Sequence, residues 1–166
     1  KFLHDRPRTL VINTLEYDHA DIDPDRAAIQ RQFHQRLRTV PGQGTISHRA
    51  SDPNVAEVLA RGCWTPLETF SSQPGVDAGW TGLATDAGFR LLRQGVLQGA
   101  TAWNLAGDHN AENATAAVLA ARAAGVDIAT ALAAVGRFRG VKRRLELLGR
   151  WGGVSLYDDY AHHPTA

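Results

Sequence analysis

The 166 residues predict an α/β fold with a mixed β-sheet flanked by helices. A short β-branched run over residues 8–13 precedes a segment whose apolar residues recur every three or four positions, as in a strand followed by a helix. Between residues 79 and 103, short apolar stretches separated by glycines are typical of antiparallel strands with tight turns. An alanine-rich segment over residues 110–124 lies between glycines, which indicates a well-capped helix.

The first half of the chain predicts the order strand, helix, strand, helix. The strand over residues 8–13 should be buried, and the helix over residues 25–40 should begin at Asp25. After a break at residues 41–44, residues 45–47 predict a second strand, and the helix that follows should end at Gly62. The apolar faces of the two helices are Ile29, Phe33, Leu37 and Val40 in the first, and Val55, Val58 and Leu59 in the second.

Three elements are predicted after the antiparallel strands. The helix over residues 110–124 is followed by a shorter helix over residues 127–135, which Gly136 should close. Residues 145–151 and 154–157 flank two glycines and predict a β-hairpin.

The composition is that of an ordinary globular protein, with 43% hydrophobic and 21% charged residues. Because 18 Lys and Arg face 17 Asp and Glu, the net charge of +1 creates no overall field that would attract nucleic acid or a membrane. The single Cys63 excludes an internal disulfide framework, and no apolar run reaches the roughly 18 residues of a membrane span. These features predict a cytoplasmic protein with no nucleic-acid or membrane partner.

A cluster of polar side chains follows the first predicted strand. Asn13, Asp18, His19 and Asp21 supply an amide, two carboxylates and an imidazole. Oxygen-rich sets with one His suit Mg²⁺ or Mn²⁺. The alternative is that the acids of residues 18–25 only cap and charge the first turn of the following helix.

The start of the alanine-rich helix carries side chains that can both donate and accept hydrogen bonds. Asn110 and Asn113 are three residues apart and share a helix face, with His109 beside them. A carboxamide offers a donor and an acceptor to an adenine edge. The alternative is a helix cap in which Asp108 or Asn110 accepts from free backbone amides and no ligand is bound.

Two more polar segments lie near the end of the chain. Residues 137–144 contain five cations and no acid, and guanidinium groups are natural partners of phosphate oxygens. The alternatives are a solvated face or a nucleic-acid surface, although Phe138 is the only aromatic residue there. Residues 158–164 hold two acids and two imidazoles, which could bind a metal or ribose hydroxyls or simply form a polar loop.

In combination and in this order, these segments resemble the Mur ligases, a family of ATP-dependent amide-bond ligases. Residues 13–19 are similar to the family motif Asn-x-x-x-Asp-His, with one additional position between Asn13 and Asp18, and residues 109–113 match the motif His-Asn-x-x-Asn. Residues 143–146 and 158–164 resemble the junction with the family's C-terminal domain. Residues similar to the branch of the family that acts on murein peptides are 16–22, 32–34, 38–42 and 61–64.

The resemblance implies a reaction and a metal site. Residues 1–140 would be part of the central ATP-binding domain, and residues 141–166 the junction and the start of the C-terminal domain. The parent enzyme would use ATP and Mg²⁺ to join UDP-N-acetylmuramate to the tripeptide L-alanyl-γ-D-glutamyl-meso-diaminopimelate in peptidoglycan recycling, through an acyl phosphate. His19, with a catalytic role, and Asp18 would hold Mg²⁺, and Asn13 would help to shape that site.

The same resemblance implies a nucleotide site. Asn110 and Asn113 would contact the adenine end of ATP, with His109 beside them. Arg144 would approach the phosphates from the interdomain junction and act in catalysis, and Asp159 would hold the ribose. Mg²⁺ and an arginine would both neutralise the oxygens of a transferring phosphoryl group.

Several parts of such a ligase have no candidate in the 166 residues. No Gly-rich phosphate loop with Lys and Ser or Thr is found, and the regions expected to bind UDP-N-acetylmuramate and the tripeptide are not represented. Because the chain also starts at Lys1 without Met, we expect an excised piece that is inactive by itself. The alternatives are a UDP-N-acetylmuramate:L-alanine ligase, a non-catalytic nucleotide- or RNA-binding module, and a structural domain whose polar motifs are all caps.

Overall fold

The computed structural model describes residues 5–16, 26–105 and 107–161, with the side chain of residue 26 left out. Two compact units, Lys1–Gly136 and Arg137–Ala166, divide the chain and are described separately. Their assignment to a central and a C-terminal domain stays a prediction. The elements of the described residues are β1 (Thr9–Ile12), α1 (Arg26–Leu37), β2 (Thr45–Arg49), α2 (Pro53–Ala60), β3 (Leu67–Ser71), β4 (Trp80–Thr85), β5 (Gly88–Arg93), β6 (Val96–Thr101), α3 (Asp108–Ala123), α4 (Ile128–Arg137), β7 (Glu146–Trp151) and β8 (Val154–Asp158).

The first unit contains a six-stranded sheet in the order β1-β2-β3-β4-β5-β6. Strands β1 to β4 are mutually parallel, whereas β5 is antiparallel to both β4 and β6. This arrangement confirms the predicted mixed sheet. Because β1, β2 and β3 are parallel, the residues that follow them lie at one edge of the sheet, which is where α/β folds place their ligands.

Two clusters of buried apolar side chains hold the helices on this sheet. The α1 and α2 helices contribute Ile29, Leu37, Val55 and Val58 to a cluster that includes Ile12. The α3 and α4 helices share a second cluster with strands β3 to β5, formed by Phe70, Trp80, Phe89, Leu91, Ala111, Ala114, Ala116, Val118, Leu119, Ala131 and Leu132. In the two helices for which an apolar face was predicted, Ile29, Leu37, Val55 and Val58 are therefore buried, and Phe33 and Leu59 are partly buried.

The strand predicted over residues 8–13 is β1, but only part of it is buried. Ile12 is 3% exposed, whereas Leu10 and Val11 are half-buried. Within the described residues β1 pairs with β2 alone, so one side of the strand lacks a strand neighbour. The prediction of a strand is confirmed, and the prediction that all of it is buried is wrong.

Three further details of the sequence prediction change. Strand β3 was not predicted, although it joins β2 to β4 in the sheet. Gly136 does not close the fourth helix, because α4 continues to Arg137. The absence of a side chain at Gly136 instead allows α4 to lie close to Thr101, because a Cβ on Gly136 would lie 2.2 Å from Thr101 Oγ1. The N-cap residue of α3 is Gly107, and no side chain makes a capping hydrogen bond there.

The second unit contains the predicted hairpin of β7 and β8, which are antiparallel. Gly152 and Gly153 form its turn with φ angles of 55° and 82°, a left-handed pair that glycine adopts without strain. Large apolar side chains of the hairpin, including Trp151 and Leu156, are exposed. Over the part of the chain that the structure describes, none of the helices has the length and apolar character needed to cross a membrane.

Candidate functional site

The two motifs singled out in the sequence meet at the edge of the sheet where β1 ends. Asn13 directly follows β1, and its Nδ2 donates a hydrogen bond to Oδ1 of Asn113 in α3. The Oδ1 of Asn13 is buried and has no hydrogen-bond partner among the described residues. One carboxamide is thereby fixed against another, while a buried acceptor remains for a donor or a cation.

An ion pair lies one strand away from this contact. Arg49 is the last residue of β2, and its Nε lies 3.1 Å from Oε1 of Glu112 in α3. The Glu112 side chain is 8% exposed and that of Arg49 is 26% exposed. The two atoms are within ion-pair distance, but they are not aligned as a hydrogen bond. The pair was not predicted from the sequence, because neither residue stands out in its segment.

The backbone at the start of α3 is left open by a glycine. Gly107, the N-cap residue, has φ 93° and no side chain that could form a capping hydrogen bond, and its carbonyl accepts from the amides of Asn110 and Ala111. The imidazole of His109 lies against it, because a Cβ on Gly107 would come within 2.8 Å of His109 Nδ1. His109 is exposed and Asn110 is half-buried. The choice between a side-chain cap by Asp108 or Asn110 and a nucleotide contact stays a prediction.

The loop after β1 is held by the start of α2. Asp52 caps this helix, its Oδ1 accepting from the amides of Asn54 at 2.9 Å and Val55 at 3.2 Å. Its Oδ2 accepts from the amide of Leu15 at 2.9 Å, and Asn54 Nδ2 donates to the Leu15 carbonyl at 2.9 Å. This cap was not predicted, although an Asp followed by a proline, here Pro53, is a typical sequence pattern at the start of a helix.

This loop leads into residues 17–25, so Asp18 and His19 lie outside the described residues. Their assignment as Mg²⁺ ligands stays a prediction. Elsewhere in the described ranges, no group of three or more His, Cys, Asp and Glu side chains could hold a metal ion.

A buried histidine lies beneath the same edge of the sheet. Burial lowers the pKa of His48 from its ordinary value of 6.5, although the Arg49 carbonyl and the Asp52 carboxylate act in the opposite direction. His48 Nδ1 lies 3.1 Å from the Arg49 carbonyl oxygen, to which it donates. The fold therefore favours the neutral imidazole.

The remaining predicted residues belong to the second unit. Arg143 lies over the Tyr160 ring at 4.7 Å, with its Nε 3.5 Å from Asp158 Oδ2. The neighbouring Arg144 and Asp159 are exposed, and Asp159 Oδ1 accepts from the Ala161 amide. Of the two adjacent arginines, Arg143 is thus engaged within the unit. His162 and His163 lie outside the described residues.

The chain is similar to cell-wall ligases of known name. No family model matches it. It is 47% identical, over 100% of its own length and 36% of the relative's, to the UDP-N-acetylmuramate–L-alanyl-γ-D-glutamyl-meso-2,6-diaminoheptandioate ligase of Escherichia coli (strain K12). It is 34% identical to the UDP-N-acetylmuramate–L-alanine ligase of Salinibacter ruber, over 99% of the chain and 35% of that protein.

A solved structure gives the same result in three dimensions. The UDP-N-acetylmuramate:L-alanyl-γ-D-glutamyl-meso-diaminopimelate ligase from Neisseria meningitides superposes with a TM-score of 0.76 at 47% identity, over 86% of this chain and 43% of that one. The 166 residues thus span about a third of the length of the E. coli relative. Together with the meeting of the two motifs at Asn13 and Asn113, these similarities show that the chain belongs to the Mur ligase superfamily.

Proposed function

We propose that the complete protein containing this chain is an ATP-dependent ligase that forms an amide bond between UDP-N-acetylmuramate and L-alanyl-γ-D-glutamyl-meso-diaminopimelate. The observation that carries this proposal is the 47% identity with a ligase of that name over the whole chain. Identity with the L-alanine ligase is 34% over nearly the same span, which favours the tripeptide over alanine as the amine substrate. A role in cytoplasmic peptidoglycan recycling follows from that substrate pair.

The described residues fit a nucleotide at the start of α3. Gly107, the N-cap residue, has no side chain that would cover the helix start, and the helix dipole favours an anionic or hydrogen-bonding ligand there. Asn110 and Asn113 supply carboxamides on the face that begins there, and such a group can bind an adenine edge with one donor and one acceptor. His109 lies beside them, exposed.

The residues near Asn13 are compatible with a hydrated Mg²⁺ ion. Its buried Oδ1, which has no partner among the described residues, is a hard oxygen acceptor of the kind that Mg²⁺ or its bound water selects. Asp18 and His19 follow a few residues later in the sequence and would complete the site. ATP would supply the phosphoryl group that activates the substrate carboxylate, with Mg²⁺ neutralising the phosphate oxygens.

Residues of the chain would bind and orient the reactants. In the first unit, Asn110 and Asn113 would fix the adenine end. In the second unit, the Asp159 carboxylate is of the kind that accepts from ribose hydroxyls, and the exposed guanidinium of Arg144 is of the kind that binds phosphoryl oxygens. The hydrogen bond between Asn13 and Asn113 would hold the proposed metal site at a fixed position relative to the proposed nucleotide residues.

An assay of the complete protein with each amine substrate tests the proposal. With ATP, Mg²⁺ and UDP-N-acetylmuramate present, the tripeptide should support phosphate release and formation of the amide product, and L-alanine should support little of either. Turnover with L-alanine alone would assign the protein to the alternative ligase. RNA binding without ligase activity would favour the binding-module alternative.

Replacing Asn110 with Asp tests the adenine contact in the complete protein. The substitution keeps an acceptor at the start of α3 but removes the amide donor, so ATP binding should weaken by roughly tenfold to a hundredfold, as expected for one lost hydrogen bond with a buried partner. The melting temperature should change little. Gln98→Glu, the same chemical change on the exposed strand β6, is the control and should leave ATP binding intact. An unchanged ATP affinity in Asn110→Asp would refute the contact.

A further inference from the structure

We propose that the Arg49–Glu112 ion pair positions the start of α3 so that Asn110 and Asn113 are presented to the nucleotide. This inference rests on the proposed function, because it concerns how the same site is held in shape. Arg49 and Glu112 would act through the two asparagines, so they are positioning residues.

The orientation of the start of α3 depends on contacts with the sheet, because the N-cap residue of the helix contributes no side chain. The N-cap residue is Gly107 with φ 93°, which makes no side-chain capping hydrogen bond. Farther along, the helix approaches β4 closely, since a Cβ on Gly82 would come within 1.8 Å of Thr115 Oγ1. That contact fixes the middle of α3 and leaves the orientation of its first turn to side chains that precede Thr115.

Two contacts at neighbouring positions meet this need. Ile12 and His48 are register partners in β1 and β2, and the residue that follows each of them, Asn13 or Arg49, contacts α3. Their partners in the helix, Asn113 and Glu112, are also consecutive. Because consecutive side chains point about 100° apart around a helix, contacts at both positions restrain rotation of the start of α3 about the helix axis.

Because Glu112 is buried, the loss of its cationic partner should have a large effect. The residue is 6% exposed, and Arg49 Nε at 3.1 Å is its only ion-pair partner among the described residues. A buried carboxylate without its cation is strongly unfavourable, so loss of Arg49 would force Glu112 toward solvent. Such a movement would rotate the turn that carries Asn110 and Asn113.

The helix also contains a matched control. Arg122 in the last turn of α3 forms an ion pair with Glu68 of β3, so the same residue types join the same helix to the sheet at its other end. Breaking either pair should lower stability. Only the Arg49 pair lies next to the proposed nucleotide residues.

The test uses the complete protein and two readouts that do not need turnover. Binding of a non-hydrolysable ATP analogue is measured by titration, and hydrogen exchange is measured for the amides of residues 109–113. Arg49→Met and Glu112→Gln should each weaken analogue binding by about tenfold and speed exchange at these amides. The charge-swapped variant Arg49→Glu with Glu112→Arg should recover part of both losses. Arg122→Met should lower the melting temperature and leave both readouts at the parental level.

Each outcome bears on the inference. If Arg49→Met does not fold, Arg49→Lys keeps the charge but changes its shape, and a smaller loss of analogue binding is expected. Parental analogue affinity and parental exchange in a folded Arg49 variant would show that the pair is only structural and would overturn the inference. A parent protein that binds no analogue would instead count against the proposed function itself.

Discussion

Replacing Asp52 with Ala should be among the most damaging single changes to the edge of the sheet. The carboxylate accepts three backbone hydrogen bonds, two from the first turn of α2 and one from Leu15. Leu15 is 2% exposed and belongs to the loop between β1 and the predicted metal ligands. The substitution therefore removes a helix cap and leaves a backbone donor without its acceptor.

The size of the effect follows from these two losses. Replacing an N-cap Asp with Ala costs about 1 kcal/mol, and leaving a buried amide unsatisfied costs about 1–3 kcal/mol. Their sum lowers the free energy of unfolding by about 2–4 kcal/mol, which corresponds to a fall in melting temperature of roughly 5–15 °C for a chain of this size. Asp52→Ser is the matched variant, because its hydroxyl can still cap α2 but is too short to serve Leu15 as well. It should lose only the Leu15 part, about 1–3 kcal/mol.

Urea unfolding followed by circular dichroism measures these free energies, and hydrogen exchange at the Leu15 amide reports on the local contact. Both variants should accelerate exchange at Leu15, whereas only Asp52→Ala should also accelerate exchange at Asn54 and Val55. An Asp52→Ala protein within about 0.5 kcal/mol of the parent would refute the reasoning, since a change of that size is typical of a surface position without such contacts.

Two further changes probe the core and the buried histidine. Gly82→Ala should lower the free energy of unfolding, measured with urea, by about 1–3 kcal/mol, because its Cβ would lie 1.8 Å from Thr115 Oγ1. Adding Thr115→Ala should recover part of this loss. A Gly82→Ala protein as stable as the parent would contradict the close approach. Because the folded state lowers the pKa of His48 below 6.5, the unfolded chain binds more protons, and stability should fall as the pH drops through and below 6.5. His48→Gln should make the free energy of unfolding depend less steeply on pH between about 7.5 and 5.5, and an identical slope would show that His48 does not contribute.

The sequence was informative about the fold where a local pattern decides the structure. The hairpin of β7 and β8 follows from two glycines that adopt left-handed φ angles at its turn. Strand β3 was missed because its residues do not alternate between buried and exposed: Leu67 is 44% exposed, Glu68 and Thr69 are half-buried, and Phe70 is fully buried. Its state is decided by pairing with β2 and β4 on either side, which a local pattern does not record.

The site shows the same division between local and distant causes. The carboxamides of α3 could be found in the sequence because they sit at fixed spacing at the start of one helix. What orients them could not, because Arg49 and Glu112 are ordinary residue types whose pairing depends on β2 ending beside the first turns of α3. A buried carboxylate tolerates few positions for its cation, so this pair constrains the site more narrowly than the two asparagines do by themselves. The residues proposed to bind the nucleotide can thus be predicted from a motif, whereas their geometry depends on contacts made by residues outside that motif.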